Sequence, residues 1–153
     1  MNTHASWDCG KSIILSHVLV CILAIALALL DIFGFWICKW LLSILPHAAP
    51  SFAVLMVCLY NCSIPAYLLL YRMHRLLTNL RQEQVFIPEN VSHLRCVSYC
   101  CFGAGLICLM GSFCFPSLLV ITLAAGFVGL IVRIVKNVFQ QAISMKDELD
   151  LTV

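Results

Sequence analysis

Uncharged stretches longer than most core helices dominate the chain and predict membrane-spanning helices. Residues 12–30, 40–71 and 96–132 contain no Asp, Glu, Lys or Arg. Because a helix rises about 1.5 Å per residue, roughly 20 residues cross a hydrocarbon core of about 30 Å. The longest stretch must therefore fold back, and Pro116 near its middle suits the first turn of a new helix. The sequence predicts an all-α fold with four spans, approximately at residues 12–35, 51–71, 96–113 and 116–132.

The basic residues lie almost entirely on one side of these four spans. Eight of the nine are found before span one, in the connection 72–95 or in the tail 133–153, and only Lys39 falls on the other side. Lys and Arg are enriched in the cytoplasmic loops of membrane proteins. The pattern predicts a four-transmembrane-helix bundle with both termini in the cytoplasm, forming a single domain over residues 1–153.

Composition supports lipid as the surrounding medium. The chain is 63% hydrophobic and 10% charged, whereas soluble domains carry about 25% charged residues. A net charge of +2 is too small to indicate direct nucleic-acid binding. The first apolar segment is too long for the core of a signal peptide, so we expect it to be retained as a span.

The connection 72–95 has helical features at both ends. Leu76, Leu77 and Leu80 recur at helical spacing between polar residues, so span two is predicted to continue beyond the membrane as an amphipathic helix. Pro88 and Glu89 suit the first turn of the next helix, because proline lacks an amide donor and a carboxylate meets the positive end of the helix dipole.

Two segments on the basic side carry a family resemblance. Residues 86–95, Phe-Ile-Pro-Glu-Asn-Val-Ser-His-Leu-Arg, resemble the motif that leads into the third span of the DUF2975-type family, bacterial four-span membrane proteins of unknown function. Residues 138–142 and 146–153 resemble its C-terminus. The chain departs from the family pattern at Ile87, where a Thr or Ser hydroxyl would cap the helix. The resemblance implies bacterial origin and no particular activity, and it suggests a small helix-turn-helix regulator as a partner.

The polar residues of these segments form a candidate interaction surface on the cytoplasmic face. They are Arg75, Arg81, Glu89, Asn90, Arg95, Asp147, Glu148 and Asp150. Opposite charges among them are expected to pair near the inner edge of the membrane, at about 0–1 kcal/mol per exposed pair. Two interpretations stay open: a solvated charged rim that helps to fix topology, or a docking surface for a cytoplasmic protein.

Asp31 and Asn61 are the candidates for a polar site inside the membrane. A carboxylate at the centre of the bilayer costs about 2.5–3.5 kcal/mol on insertion scales, and such groups often serve ion pathways. The position of Asp31 at the end of the first apolar run favours an interfacial carboxylate instead. Asn61 begins a polar patch that ends at Pro65, which removes a helical hydrogen bond. Such a patch lines a cavity or, as we favour, joins helices through hydrogen bonds.

Small residues, cysteines and histidines give weaker indications. Gly and Ala at four-residue spacing, as in 125–129, permit close helix approach and are compatible with a homodimer. Most of the ten cysteines lie inside apolar runs, where they act as small hydrophobic residues. His17 is expected to be an interfacial histidine rather than a ligand. No metal, cofactor or catalytic motif is recognised.

Three functional hypotheses follow from these residues. The first is a non-enzymatic protein of the bacterial cytoplasmic membrane that acts through a cytoplasmic partner, as a regulator or sensor. The second is a small oligomeric transporter or channel subunit that uses Asp31 and the patch 61–65. The third is a membrane thiol enzyme, which would need Cys38 and Cys114 at disulfide distance near the outer face.

Overall fold

Four long α-helices make up the fold. The computed structural model describes the backbone of residues 3–44, 52–82, 84 and 86–151, and the side chains of residues 14–44, 52–82, 84 and 86–149. The helices are α1 (Thr3–Ile44), α2 (Phe52–Arg81), α3 (Pro88–Ser112) and α4 (Leu118–Leu151). Each contains a stretch long and apolar enough to cross a membrane. The predicted all-α fold with four membrane-spanning helices is confirmed.

Consecutive helices run antiparallel and pack side by side in chain order. α2 packs against α1 and α3, and α3 packs against α2 and α4. Within the described ranges, α1 and α4 share no packing contact. The antiparallel pairing of α1 with α2 is visible at both ends, where His17 lies against His74 and Phe35 lies against Phe52. In the part of the chain that the structure describes, α1 therefore packs on the other helices through α2 alone.

One end of this helix row carries most of the positive charge. It comprises the start of α1, the end of α2, the start of α3 and the end of α4, and we call it the basic end. Its described basic side chains are Arg72, Arg75, Arg81, Arg95, Arg133, Lys136 and Lys146. Lys39 lies near the opposite end, in the last turns of α1.

α3 is the best shielded of the four helices. In its most apolar stretch 44% of the residues are buried, compared with 6% in each of the other three helices. This stretch is also the least hydrophobic of the four, whereas those of α1 and α4 are the most hydrophobic. Packing between α2 and α4 therefore removes from lipid the helix that lipid would accept least readily.

α3 and α4 approach each other closely where small residues meet. A Cβ added at Gly105 would lie 3.6 Å from the Cβ of Ala125, and one added at Gly129 would lie 3.3 Å from the Cβ of Cys101. Ser98 crosses the same interface, and its hydroxyl donates to the carbonyl oxygen of Gly129 at 3.0 Å. Small residues near the predicted spacing are thus used within the chain to bring two helices together.

α1 is longer than the span predicted for it. It runs unbroken to Ile44, although the predicted span ends near residue 35. The first proline after its start is Pro46, so no residue before Ile44 removes a helical hydrogen bond. The aromatic and charged residues after Phe35 end the hydrophobic stretch without ending the helix.

The two helix boundaries around the connection agree with their predictions. α2 continues to Arg81, as the spacing of its leucines predicts. α3 begins at Pro88, with Glu89 in its first turn, and Ile87 precedes it without a side-chain capping bond.

The start of α4 differs from the prediction. Pro116 lies in the turn between α3 and α4, and the helix begins at Leu118. The amide of Leu118 donates to the carbonyl oxygen of Phe115 at 2.9 Å, and that of Leu119 donates to Pro116 at 3.0 Å. These bonds span three residues, so the chain completes a tight turn before the regular helix starts.

Candidate functional site

The connection between α2 and α3 is closed by the side chain of Asn90. Its carboxamide oxygen accepts a hydrogen bond from Nδ2 of Asn79 at 2.9 Å, and its own Nδ2 donates to the carbonyl oxygen of Gln84 at 2.8 Å. Asn90 is fully buried, at 0% exposure. This residue, predicted as part of an interaction surface, is therefore inaccessible to a partner and instead holds the connection in shape.

His93 lies one turn later in α3, between two charged side chains. Its Nδ1 is 3.4 Å from a terminal nitrogen of Arg72, and its Nε2 is 3.5 Å from Oε1 of Glu89. The histidine is buried and the carboxylate is exposed. Within the described side chains, the carboxylate of Glu89 contacts this histidine of its own helix, and the contact is an ion pair only when the imidazole is protonated. These contacts fix the end of α2 against the start of α3.

The two segments that carry the family resemblance meet at the basic end. The rings of Phe86 and Phe139 lie with their centroids 6.0 Å apart. Beside them a cavity of about 350 Å³ separates α3 from α4. It is lined by Pro88, Val91, Ser92, Arg95, Gln140 and Ile143. The start of α3 and the end of α4 therefore lie side by side and line the same cavity.

α4 is longer than a membrane requires. Its 34 residues extend about 51 Å, whereas the hydrocarbon core is about 30 Å thick. Val138, Met145 and Leu149 are exposed, and their spacing of seven and four residues places them on one side of the helix. Met145 and Leu149 lie about 13 and 20 Å of helix beyond Lys136. We call these three residues the α4 stripe.

Acidic side chains accompany the α4 stripe. Asp147 and Glu148 are both exposed. The side chain of Asp150, the third acidic residue predicted here, lies outside the described residues. The end of α4 therefore combines an apolar side with two exposed carboxylates and the exposed ammonium group of Lys146.

The predicted surface arginines are separated from one another. Arg75 is exposed, and its guanidinium lies 5.8 Å above the ring of Tyr71. Arg81 is exposed at the last residue of α2. Arg95 is exposed between α3 and α4, where it lines a small cleft with Arg133. The structure thus places the predicted arginines around the basic end without gathering them into one site.

Asp31 is held by side chains of α2 within the interface between α1 and α2. Its Oδ1 accepts a hydrogen bond from the hydroxyl of Ser63 at 2.5 Å, and its carbonyl oxygen accepts one from the hydroxyl of Tyr60 at 3.3 Å. The Tyr67 hydroxyl also interacts with the carboxylate. Ser63 is buried, and Asp31 is half-buried. The carboxylate therefore acts as a polar contact between two helices.

The depth of Asp31 depends on which residues mark the edges of the hydrocarbon layer. About 12 Å of helix separate it from Lys39, and about 13 Å separate its partner Ser63 from Arg72, so Asp31 lies midway between these two basic residues along the helix pair. On the span predicted at residues 12–35, Asp31 lies about one turn from the outer end. Its interfacial position therefore stays a prediction.

Asn61 does not join the polar contact at Asp31. Its Nδ2 donates to the carbonyl oxygen of Val57 at 2.7 Å, one turn earlier in the same helix, and its side chain is exposed. α2 continues through Pro65. The two predicted intramembrane residues are therefore not neighbours, and the partner of Asp31 is Ser63.

An apolar cavity of about 270 Å³ lies beside the contact between Asp31 and Ser63. Leucine and cysteine side chains dominate its lining, with residues contributed by all four helices. Among the lining residues Ser63 supplies the hydroxyl group. Such a lining suits an apolar group better than a hydrated ion.

The described cysteines are free thiols. Cys38 is buried and Cys114 is half-buried, and the structure does not join this predicted pair. It brings together the sulfurs of Cys62 and Cys108 instead, 3.6 Å apart across the interface between α2 and α3.

Sequence reasoning missed the partners of its candidate residues. Asn79, Ser63 and His93 complete the contacts of Asn90, Asp31 and the start of α3. His93 lies within the motif at 86–95, and Ser63 lies within the predicted polar patch. The sequence shows that both residues are close to the candidate residues along the chain. It does not show which faces of the helices meet.

A family model described as a protein of unknown function (DUF2975) matches residues 16–153. The chain belongs to this family. The match confirms the family resemblance, includes the segments 86–95, 138–142 and 146–153, and covers all of α2, α3 and α4. No curated protein and no solved structure matches the chain. Because the family has no known function, a proposal must depend on the geometry of this multi-pass membrane protein.

Proposed function

We propose that the chain is a non-enzymatic protein of the bacterial cytoplasmic membrane, with its basic end in the cytoplasm, where it binds a cytoplasmic protein. The observation that carries the proposal is the α4 stripe. Val138, Met145 and Leu149 are 57%, 61% and 68% exposed, and the last two lie beyond Arg133 and Lys136, which we take as the cytoplasmic edge of the span. An apolar helix face outside lipid is stabilised when a partner covers it.

Other contacts at the basic end support a docking surface held in a fixed position rather than a solvated charged rim. Asn90 and His93 fix the start of α3 against α2. The contact between Phe86 and Phe139 then fixes the connection against the first turns of the α4 extension. The α4 stripe is therefore carried on a helix that is anchored near its base.

The charges beside the α4 stripe indicate the chemistry of the partner. Asp147 and Glu148 are exposed there, so a partner helix with basic residues next to an apolar side would be complementary. Small helix-turn-helix regulators carry basic, helical surfaces and fit this description. The proposed partner is a cytoplasmic protein of that kind.

Site-specific photo-crosslinking in intact cells tests the docking proposal. A photoreactive residue at Met145 should give an adduct with a cytoplasmic protein, because this position lies in the stripe. The matched control is the same residue at Val120, which is 70% exposed but lies within the apolar span of α4. Adding Asp147→Lys should weaken the adduct at Met145 about tenfold if charge complementarity contributes about 1.4 kcal/mol.

Two results would contradict the docking proposal. One is an adduct at Met145 that consists only of a second copy of the chain, which would indicate a homodimer interface. The other is equal labelling at Met145 and Val120, which would indicate contact with lipid or random collision.

The transporter alternative has one supporting observation. Asp31 lies midway between Lys39 and Arg72 along the helix pair and is bonded to Ser63 inside a helix interface. The neighbouring cavity is lined almost entirely by apolar side chains, which offers no polar path for a hydrated ion. We therefore place this alternative second.

A further inference from the structure

Three metal-ligating side chains from two helices meet at the basic end. His17 and Cys21 lie four residues apart on α1, so they share one face of that helix. His74 faces them from α2. One potential ligand atom from each of the three lies within 4.8 Å of the other two, and the two imidazole rings lie with their centroids 4.4 Å apart at an angle of 50°.

Within the described part of the chain, no other polar group is hydrogen-bonded to these three side chains. The imidazoles of His17 and His74 contact each other, and no hydrogen bond to either ring or to the Cys21 sulfur is found there. A neutral imidazole keeps one nitrogen lone pair, which is available for coordination.

The nearest positive charges on α2 turn away from the three side chains. Arg72 directs its guanidinium to His93 of α3. Arg75 directs its guanidinium to the ring of Tyr71. A cation between α1 and α2 would therefore not be opposed by an arginine in direct contact with it.

The ligand set selects the class of metal. Two imidazole nitrogens and one thiolate suit a borderline-soft transition-metal ion, whereas Mg²⁺ and Ca²⁺ prefer oxygen ligands. In tetrahedral Zn²⁺ sites, bond lengths of about 2.0–2.3 Å place the ligand atoms roughly 3.3–3.6 Å apart. The three ligand atoms lie within 4.8 Å of one another, so rotation of the side chains has to close a gap of at most about 1.5 Å.

We propose that His17, Cys21 and His74 bind a Zn²⁺-class transition-metal ion between α1 and α2. Coordination replaces the thiol proton of Cys21, which is released to water as the sulfur–metal bond forms. The three protein ligands leave a fourth position for water or for a ligand from outside the chain. Cys21 is exposed, so this fourth position is accessible.

Metal binding would change how α1 is attached. α1 packs only against α2 within the described residues, and its contacts at Asp31 and Phe35 lie toward the far end of that interface. A metal at His17 would add a bond at the basic end, about 21 Å of helix from Asp31. Bound metal would therefore strengthen the existing contact between α1 and α2 at His17 and His74.

Cobalt titration of the full-length protein in detergent micelles tests the metal site. The chelator-treated, reduced protein should bind one Co²⁺ per chain with a thiolate-to-cobalt absorption band, and Zn²⁺ but not Mg²⁺ should displace it. Cys21→Ser should abolish the band, and both Cys21→Ser and His74→Gln should weaken binding by about 100-fold or more, beyond the loss typical of outer-shell changes. Cys96→Ser, which removes a half-buried thiol of α3, should leave binding unchanged.

Helical circular dichroism and elution as a single species confirm that each variant is folded, and His17→Gln replaces any variant that is not. The absence of bound Co²⁺ in the parent protein would overturn the site. Unchanged affinity in Cys21→Ser and His74→Gln would also overturn it. These results are independent of the docking proposal, because no residue of the α4 stripe contributes to the site.

Discussion

Asn90 shows how a buried amide can organise a helix connection at the scale of a single residue. Asn90→Ala leaves the Asn79 amide and the Gln84 carbonyl oxygen without their partner. We expect the free energy of unfolding to fall by about 1–3 kcal/mol, because two part-buried hydrogen bonds of about 0.5–1.5 kcal/mol each are lost. Denaturant or thermal unfolding in detergent micelles measures this change.

A second asparagine provides the matched control for Asn90→Ala. Asn61 is exposed and bonds only within its own helix, so Asn61→Ala should change the free energy of unfolding by less than about 0.5 kcal/mol. If both substitutions have the same effect, the closing role of Asn90 is wrong.

The sequence identified Asn90 and Asp31 as important residues without revealing their roles. Asp31 stood out because a carboxylate interrupts an apolar helix. The choice of Ser63 rather than Asn61 as its partner depends on which side of α2 faces α1. Two residues along a helix correspond to about 200° of rotation, so neighbouring members of one polar patch face opposite directions.

At the scale of helix packing, two glycines of α3 differ in how closely other atoms approach them. A Cβ added at Gly111 would lie 2.6 Å from the Cys58 sulfur and 2.8 Å from the Leu118 side chain. Gly111→Ala should therefore push α3 away from α2 and lower the free energy of unfolding by about 1–3 kcal/mol. Gly103 of the same helix has nothing within 4 Å of an added Cβ.

Gly103→Ala is accordingly the control for Gly111→Ala. It should be neutral or stabilising by up to about 1 kcal/mol, because alanine favours the helix over glycine. Unfolding in micelles compares the two, and a loss of stability at Gly103 as large as that at Gly111 would argue against the packing of α3 on α2.

The number of helices followed from the uncharged stretches, but two of their ends did not. The thickness of the membrane limits the length of a hydrophobic span but not the length of the helix that contains it. α1 therefore continues beyond its hydrophobic part to Ile44. Pro116 fits equally a tight turn and a first helical turn, and the carbonyl bonds at Phe115 and Pro116 show that the turn is formed. The start of α3 at Pro88 was easier to predict, because the residues before Pro88 already break the helical pattern.

Orientation in the membrane is a property of the whole molecule and remains a prediction from its basic residues. An impermeant maleimide should label Phe113→Cys in intact cells and should not label Gln82→Cys, because the basic end is expected in the cytoplasm. Phe113 is 84% exposed in the turn between α3 and α4, and Gln82 is exposed after α2. Both variants are made in a parent whose native cysteines are replaced by serine.

Permeabilised cells supply the control for the labelling experiment, since both positions should then react. Labelling of Gln82→Cys alone in intact cells would reverse the orientation and would place the α4 stripe outside the cell, where a cytoplasmic partner could not reach it.

The lateral order of the helices was not predicted, yet a trace of it exists in the sequence. The two most hydrophobic spans belong to α1 and α4, which lie at the edges of the row, and the least hydrophobic belongs to α3. Hydropathy along the chain therefore reflects how much of each helix lipid surrounds. It does not identify the neighbours, because pairing depends on side-chain shape at each interface.

The shielding of α3 has a consequence during synthesis. A ribosome releases α3 before α4, so one of the two packed sides of α3 has no protein neighbour until α4 is synthesised. During that interval Ser98 and Cys101, which pack on Gly129 of α4, face acyl chains or the insertion machinery. Translation arrest before Leu118 would leave α3 as the segment most prone to slip back out of the bilayer.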